Sequence, residues 1–255
     1  MKAIRAIAVN TFKEAVRNKI LYSLVFFAFL MMLFSLVLDQ ATVGQRNKII
    51  KDLGLGSINL FGVVIAIVVG INLVYKEIEK RTIYPLLAKP VRRSQFLIGK
   101  YFGILLTLAI ETLFMSSFLF LLVLFYEGIF DTHLPLALLM IFVELAVISA
   151  FAIFFSSFST PFLSGMFTFA IYVIGHLTAY IKEFGLNSGS VILEQVTTFF
   201  YYALPNLERF NLKAEAVYRL PVESGKISLS VLYALLYITM VLTLSVLSFE
   251  RRDFK

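Results

Sequence analysis

The order of apolar and polar positions divides the chain at once. Six long apolar runs, roughly 20–38, 57–75, 101–126, 135–156, 162–181 and 227–249, stand out. Each is close to or above the ~20 residues that a helix needs to cross a ~30 Å hydrocarbon core. None alternates apolar with polar residues, as the strands of a membrane barrel would. The runs predict an all-α integral membrane protein with six transmembrane helices, forming a single domain over 1–255. Only Ser157, Phe158, Ser159, Thr160 and Pro161 part the fourth run from the fifth. Proline disturbs a helix from within and suits its first turn, so Pro161 opens the fifth span.

Two segments outside the runs have patterns of their own. At about 100° per residue, Ile4, Ile7, Ala8, Thr11, Phe12, Ala15 and Val16 share one arc of residues 1–19. Lys2, Asn10, Lys13, Glu14 and Arg17 take the other arc, with Arg5 at the boundary. That division predicts an N-terminal amphipathic interfacial helix, against the plainer alternative of a frayed tail. The first apolar run is long enough to span and is followed by no small-x-small site after Leu38, so it is not expected to be a cleaved signal. Segment 182–226 is too long for a plain connection. Its stretch from Val191 to Leu204, with Phe199, Phe200, Tyr201 and Tyr202, is apolar but too short to cross. It predicts a re-entrant or interfacial helix pair before the last span, or else an aromatic belt anchor.

Composition agrees and narrows the classes. The chain is 60% apolar and 15% charged, where soluble domains carry roughly 25% charged residues. Without cysteine there is no disulfide framework, thiolate metal site or cysteine nucleophile. The net charge of +7 fits basic loops at a membrane, and no nucleic-acid partner is expected. With the N-terminus inside, segments 1–19, 76–100, 157–161 and 250–255 hold 15 Lys and Arg, against 8 in 39–56, 127–134 and 182–226. The positive-inside rule then places both termini in the cytoplasm, in a multi-pass protein of the inner or plasma membrane. The sequence has no G-x-x-x-x-G-K-[ST], H-E-x-x-H or G-x-S-x-G pattern, and His133 and His176 lie far apart. Neither a catalytic site nor a metal site is expected.

Chemistry is concentrated in two places. Loop 76–100 is charged, yet displays Leu86, Leu87 and Val91 between and beside Pro85 and Pro90. A short helical turn bracketed by the prolines would present a docking element, while a bare positive anchor needs no such leucines. Inside the runs, Asn72, Glu111, Glu144 and His176 must face protein or water, because a lone charge in lipid costs several kcal/mol. They suit either a proton or ion relay or ordinary hydrogen bonding between helices. Gly62, Ala66 and Gly70, and again Gly99 and Gly103, have the spacing that lets helices approach closely. The seven methionines are scattered and are taken as apolar filler.

Glu77, Glu79, Thr82, Leu86, Leu87, Pro90, Arg93 and Lys100 together form a pattern that resembles the cytoplasmic loop of ABC-2-type ABC transporter permeases. Arg81 stands where that family commonly has glycine, and Pro85 where it has a more helical residue. The layout is similar too: interfacial helix, six spans, and a large outer segment before the last span. Stretch 204–212 is most similar to the branch for multi-copper-enzyme maturation, which does not make copper the substrate. The resemblance implies a non-catalytic permease subunit, an exporter more often than not, working as a homodimer or heterodimer. Loop 77–93 would hold a coupling helix seated in a separate cytoplasmic ATPase, where ATP and Mg would bind, leaving this chain without a cofactor. The rival is an ion- or proton-coupled secondary carrier or channel using Glu111, Glu144 and His176. It predicts an internal repeat, and the sequence shows none.

Overall fold

Hydrocarbon offers no water to backbone N–H and C=O groups, so each apolar run must close its hydrogen bonds within itself. A computed structural model describes residues 2–39, 46–79, 92–128 and 131–250, and it is helical throughout its long elements. Helices α2 (Lys19–Asp39), α3 (Arg46–Glu79), α4 (Arg93–Glu127), α5 (Leu134–Phe158), α6 (Pro161–Asn187) and α9 (Ser224–Glu250) supply the six stretches long and apolar enough to cross. Between and before them lie α1 (Lys2–Val16), α7 (Val191–Ala203), a 3-10 turn (Leu207–Phe210) and α8 (Lys213–Tyr218). Among the described residues there is no strand. Pro161 is the first residue of α6, as its geometry favours.

Two helices overrun the apolar limits. Helix α3 has 34 residues, about 51 Å at ~1.5 Å each, well beyond the hydrocarbon thickness. Its first turns are polar in composition, but Ile50, Lys51, Gly54, Leu55 and Ile58 form a buried stripe. Hydropathy averages over that stripe and hides it. Likewise α4 takes in residues 93–100, which the apolar pattern assigns to a loop.

The centre of the bundle is α5, whose most apolar window is 78% buried, against 17% for α9 and 22% for α2 and α6. The small-residue stripe on α3 faces it. A Cβ added at Gly62 would lie 2.7 Å from Leu145, and one at Gly70 would lie 2.7 Å from the Ala152 Cβ, while Ala66 is fully buried. Association in lipid depends on such packing, because tails are as apolar as leucine. The second stripe receives an unexpected guest. A Cβ at Gly99 would meet Ile7 at 2.8 Å, and one at Gly103 would meet the Ala8 carbonyl oxygen at 2.8 Å. The apolar arc of α1 therefore seats on α4, with Thr11 and Ala15 buried there.

Helix ends are closed locally. Ile20 N–H donates to the Asn18 side chain (3.1 Å), capping the start of α2. The Arg93 guanidinium donates to the carbonyls of Phe249 and Glu250, each at 3.0 Å, satisfying the C-terminal end of α9. Phe96 stacks on Phe249 at 6.0 Å beside it.

Gly103→Val should wedge α1 away from α4 and cost on the order of 1–3 kcal/mol, the usual scale of overpacking. Thermal unfolding in detergent measures it. Gly56→Ala, where an added Cβ meets nothing within 4 Å, should leave the midpoint unchanged or raise it.

Candidate functional site

After α6 the chain turns back beside the helix it has just left. A Cβ at Gly185 would strike Thr197, Lys182 sits over the Tyr201 ring at 4.5 Å, and a Cβ at Gly175 would lie 2.6 Å from Leu207. As the chain advances from 197 to 207, its contacts on α6 recede from 185 to 175. Helix α7 and the 3-10 turn are therefore re-entrant. The far side rests on α9: Asn206 N–H donates to the Tyr233 hydroxyl (2.9 Å), and the Arg209 guanidinium lies 4.9 Å from the Tyr233 ring centre. Leu207 and Phe210 are fully buried.

This returning turn completes a polar bridge through the bundle. Glu144 of α5 is buried, and its Oε2 accepts from the Asn59 side-chain amide of α3 at 2.9 Å. The Tyr172 hydroxyl donates to Asn59 Oδ1 at 2.9 Å, which orients that amide with its NH2 toward Glu144. On the other Glu144 oxygen stands His176 Nε2, at 2.9 Å. The second ring nitrogen, Nδ1, faces Glu208 Oε2 of the 3-10 turn at 3.0 Å. Asn211 donates to the remaining Glu208 oxygen at 2.8 Å. An ionised carboxylate only accepts, and a neutral imidazole donates from one nitrogen only. Both ring contacts are satisfied together by the imidazolium. Side-chain exposure rises along the bridge from 1% at Glu144 through 22% at His176 to 42% at Glu208.

The structure thus joins Glu144 to His176 but leaves the other two intramembrane candidates apart. Both oxygens of buried Glu111 on α4 lack a hydrogen-bond partner among the described residues. Asn72 donates to the Val68 carbonyl of its own helix at 2.8 Å. Asn59, Tyr172 and Glu208 were missed as bridge members, although Glu208 lies in stretch 204–212. The two carboxylates occupy opposite edges of the imidazole, so they cannot converge on one metal ion with it. No group of three metal-ligating side chains occurs among the described residues. Of the loop residues, Glu77 and Glu79 end α3, and Arg93 opens α4. Thr82, Leu86, Leu87 and Pro90 lie outside the described residues. A separate cavity of about 580 Å³ opens between α4, α5 and α9, walled by Tyr101, Phe102, Leu105, Phe142, Leu235 and Leu242.

At the end of the bundle where α3 begins, four charges interlock. Lys51 of α3 pairs with Glu127 at the end of α4 and with Asp131, which precedes α5. Arg219 reaches the same two carboxylates, at 2.8 Å and 3.4 Å. It stands at φ 55°, a left-handed conformation that closes α8 and aims the chain toward α9. Burial pushes the Asp131 carboxyl up. The Lys51 hydrogen bond, the His133 backbone N–H, and the charges of Lys51 and Arg219 outweigh it and hold the group below its ordinary value.

Six helices long and apolar enough to cross, with a docked amphipathic helix and a polar turn folded back among them, define an all-α polytopic membrane protein. The chain belongs to the ABC-2 transporter family: the model for the ABC-2 family transporter protein matches residues 5–254, nearly its whole length. No curated protein matches it. The match does not single out the multi-copper-maturation branch. Membership makes the chain the membrane-embedded permease subunit, a role typically non-catalytic and served by an ABC ATPase.

Asp131→Asn should destabilise the folded protein by about 1–3 kcal/mol at neutral pH, the scale of losing a buried charge-assisted bond. A lowered aspartate contributes stability that is full above its unfolded value of 3.8 and is lost as pH falls through the folded one. The gap between wild type and Asp131→Asn should therefore be constant above about pH 5 and shrink in strong acid. Unfolding midpoints in detergent across pH 2–7 check the sign.

Proposed function

We propose that the chain is the permease of an exporter in which two copies form the pathway and separate ATPase subunits drive it through loop 77–93. The family match over residues 5–254 supports the permease role, and loop 77–93 is assigned the coupling because the residues that resemble the family's cytoplasmic loop cluster there. Both termini and the loop would lie on the cytoplasmic side of the inner or plasma membrane, as the lysine and arginine bias argues. ATP and Mg belong to the partner, and this chain's work is mechanical. Nucleotide must favour one permease arrangement over the other, and the loop is where that preference enters.

Three features support a mechanical path. In sequence, the loop lies between α3 and α4. At its exit, Arg93 holds the carbonyl end of α9, so α4 and α9 share one attachment. Helix α3 is continuous from Glu79 back to Arg46 and carries both Asn59 of the bridge and Lys51 of the charge cluster. A push at the loop therefore reaches the far end through one helix. The carrier alternative needs Glu111, Glu144 and His176 in one relay. The bridge contains the latter two, but no hydrogen bond among the described residues links Glu111 to it.

Leu86→Asp should weaken ATPase binding by on the order of 2 kcal/mol or more, roughly thirtyfold, by placing an unpaired charge at an apolar contact. Insertion and thermal stability should be unchanged, because in sequence the residue falls between the apolar runs 57–75 and 101–126. Co-purification of the full-length pair and its hydrolysis rate measure the loss. In the same cysteine-free background, a single cysteine at Ser94 should react with an impermeant thiol reagent only after the membrane is opened. Unchanged binding and stimulation would reduce the loop to an anchor.

A further inference from the structure

We propose that the Glu144–His176–Glu208 bridge is a proton-operated latch: the protonated imidazole keeps turn 204–212 docked in the bundle, and loss of that proton loosens it. The inference stands independently of how the ATPase couples.

Hydrogen-bond donors at the ring set the behaviour of the bridge. The Asn59 amide holds one Glu144 oxygen and the Asn211 amide holds one Glu208 oxygen, so both carboxylates present acceptors to the ring. A ring that loses a proton must turn one bare nitrogen toward a carboxylate oxygen. Two acceptors then face each other in a partly buried site, which costs the bond and adds repulsion. Where the break falls follows from burial. Glu144 is 1% exposed and tied to α3, whereas Glu208 is 42% exposed and sits on a four-residue turn. The Nδ1–Glu208 contact therefore yields, and the proton leaves to solvent along that exposed side.

Among the described residues, no other charge at the ring offsets this. Glu144 approaches from α5 and Glu208 from the turn, the Tyr172 ring stands edge-on at 4.9 Å from α6, and α3 contributes only the neutral Asn59. Arg209, beside Glu208, is turned to Tyr233. Once the contact opens, turn 204–212 keeps the apolar seating of Leu207 on Gly175, the Tyr233 and Ser230 hydroxyl contacts and the Arg209–Tyr233 pair. Helix α7 keeps Thr197 against Gly185 and Tyr201 under Lys182.

The test is hydrogen exchange on the full-length protein in lipid nanodiscs, followed in residues 204–212 as protection factors, which remove the intrinsic pH dependence of the amides. Between pH 5 and pH 9 the wild-type protection should fall at least tenfold. Glu208→Gln should hold the same protection throughout within about twofold, because the new amide can donate to a bare Nδ1 or accept from a protonated one. His176→Phe should be poorly protected at both ends of the range. Wild-type protection that does not change between pH 5 and pH 9 would overturn the latch. So would an equal fall in Glu208→Gln. If Glu208→Gln does not fold, the wild-type profile alone decides.

Discussion

A carboxylate buried within the most enclosed helix of a membrane bundle is the constraint from which much else follows. An ionised Glu144 without partners, away from water, would cost far more than one hydrogen bond returns. Asn59 and His176 answer it from two different helices, and this fixes the relation of α3, α5 and α6. His176 then presents a second nitrogen that needs an acceptor of its own. Glu208 supplies it only if residues 204–212 dip back among the helices. The course of the re-entrant turn is thus tied to a polar demand set up two helices away.

Apolar packing completes what the bridge begins. Small residues on α3 let α5 come close, and the bridge then sets the register between the two helices. Packing and polar pairing act on the same pair of helices, and neither alone gives a unique arrangement in lipid, where apolar contact has little preference for one neighbour over another. At the far end, the cluster of Lys51, Glu127, Asp131 and Arg219 draws the last stretch before α9 onto the beginning of α3. Helix α3 is accordingly common to the core, the bridge and the charge cluster. On the proposed coupling, a movement entering at loop 77–93 would meet one long helix that touches all three.

The spans were legible because hydropathy is a local property, summed over neighbours in sequence. Pro161 and the glycine spacings were legible for the same reason. What the glycines receive was not: Gly99 and Gly103 carry the spacing of a span contact, yet they seat the amphipathic helix α1. The early start of α3 escaped because Lys48, Lys51 and Asp52 mask a buried stripe one turn apart. Glu144 and His176 could be singled out as costly in lipid. Their partners Asn59 and Glu208 could not, because they lie 85 and 32 residues away and nothing local marks them. Loop 77–93 stood out by a pattern of residue types that resembles the family's loop, and one of those residues, Arg93, donates to the end of α9 inside the bundle.

The bridge depends most directly on the state of one ring. The chain has only two histidines, so protein labelled with 15N-histidine and 13C-glutamate, studied by solid-state NMR in lipid bilayers at mildly acidic pH, gives few and assignable signals. One imidazole should carry protons on both nitrogens, and each nitrogen should couple to a glutamate carboxyl carbon about 4 Å or less away. If His176 instead shows one bare nitrogen, or no carboxyl carbon near Nδ1, the bridge between α5 and the re-entrant turn does not exist as described.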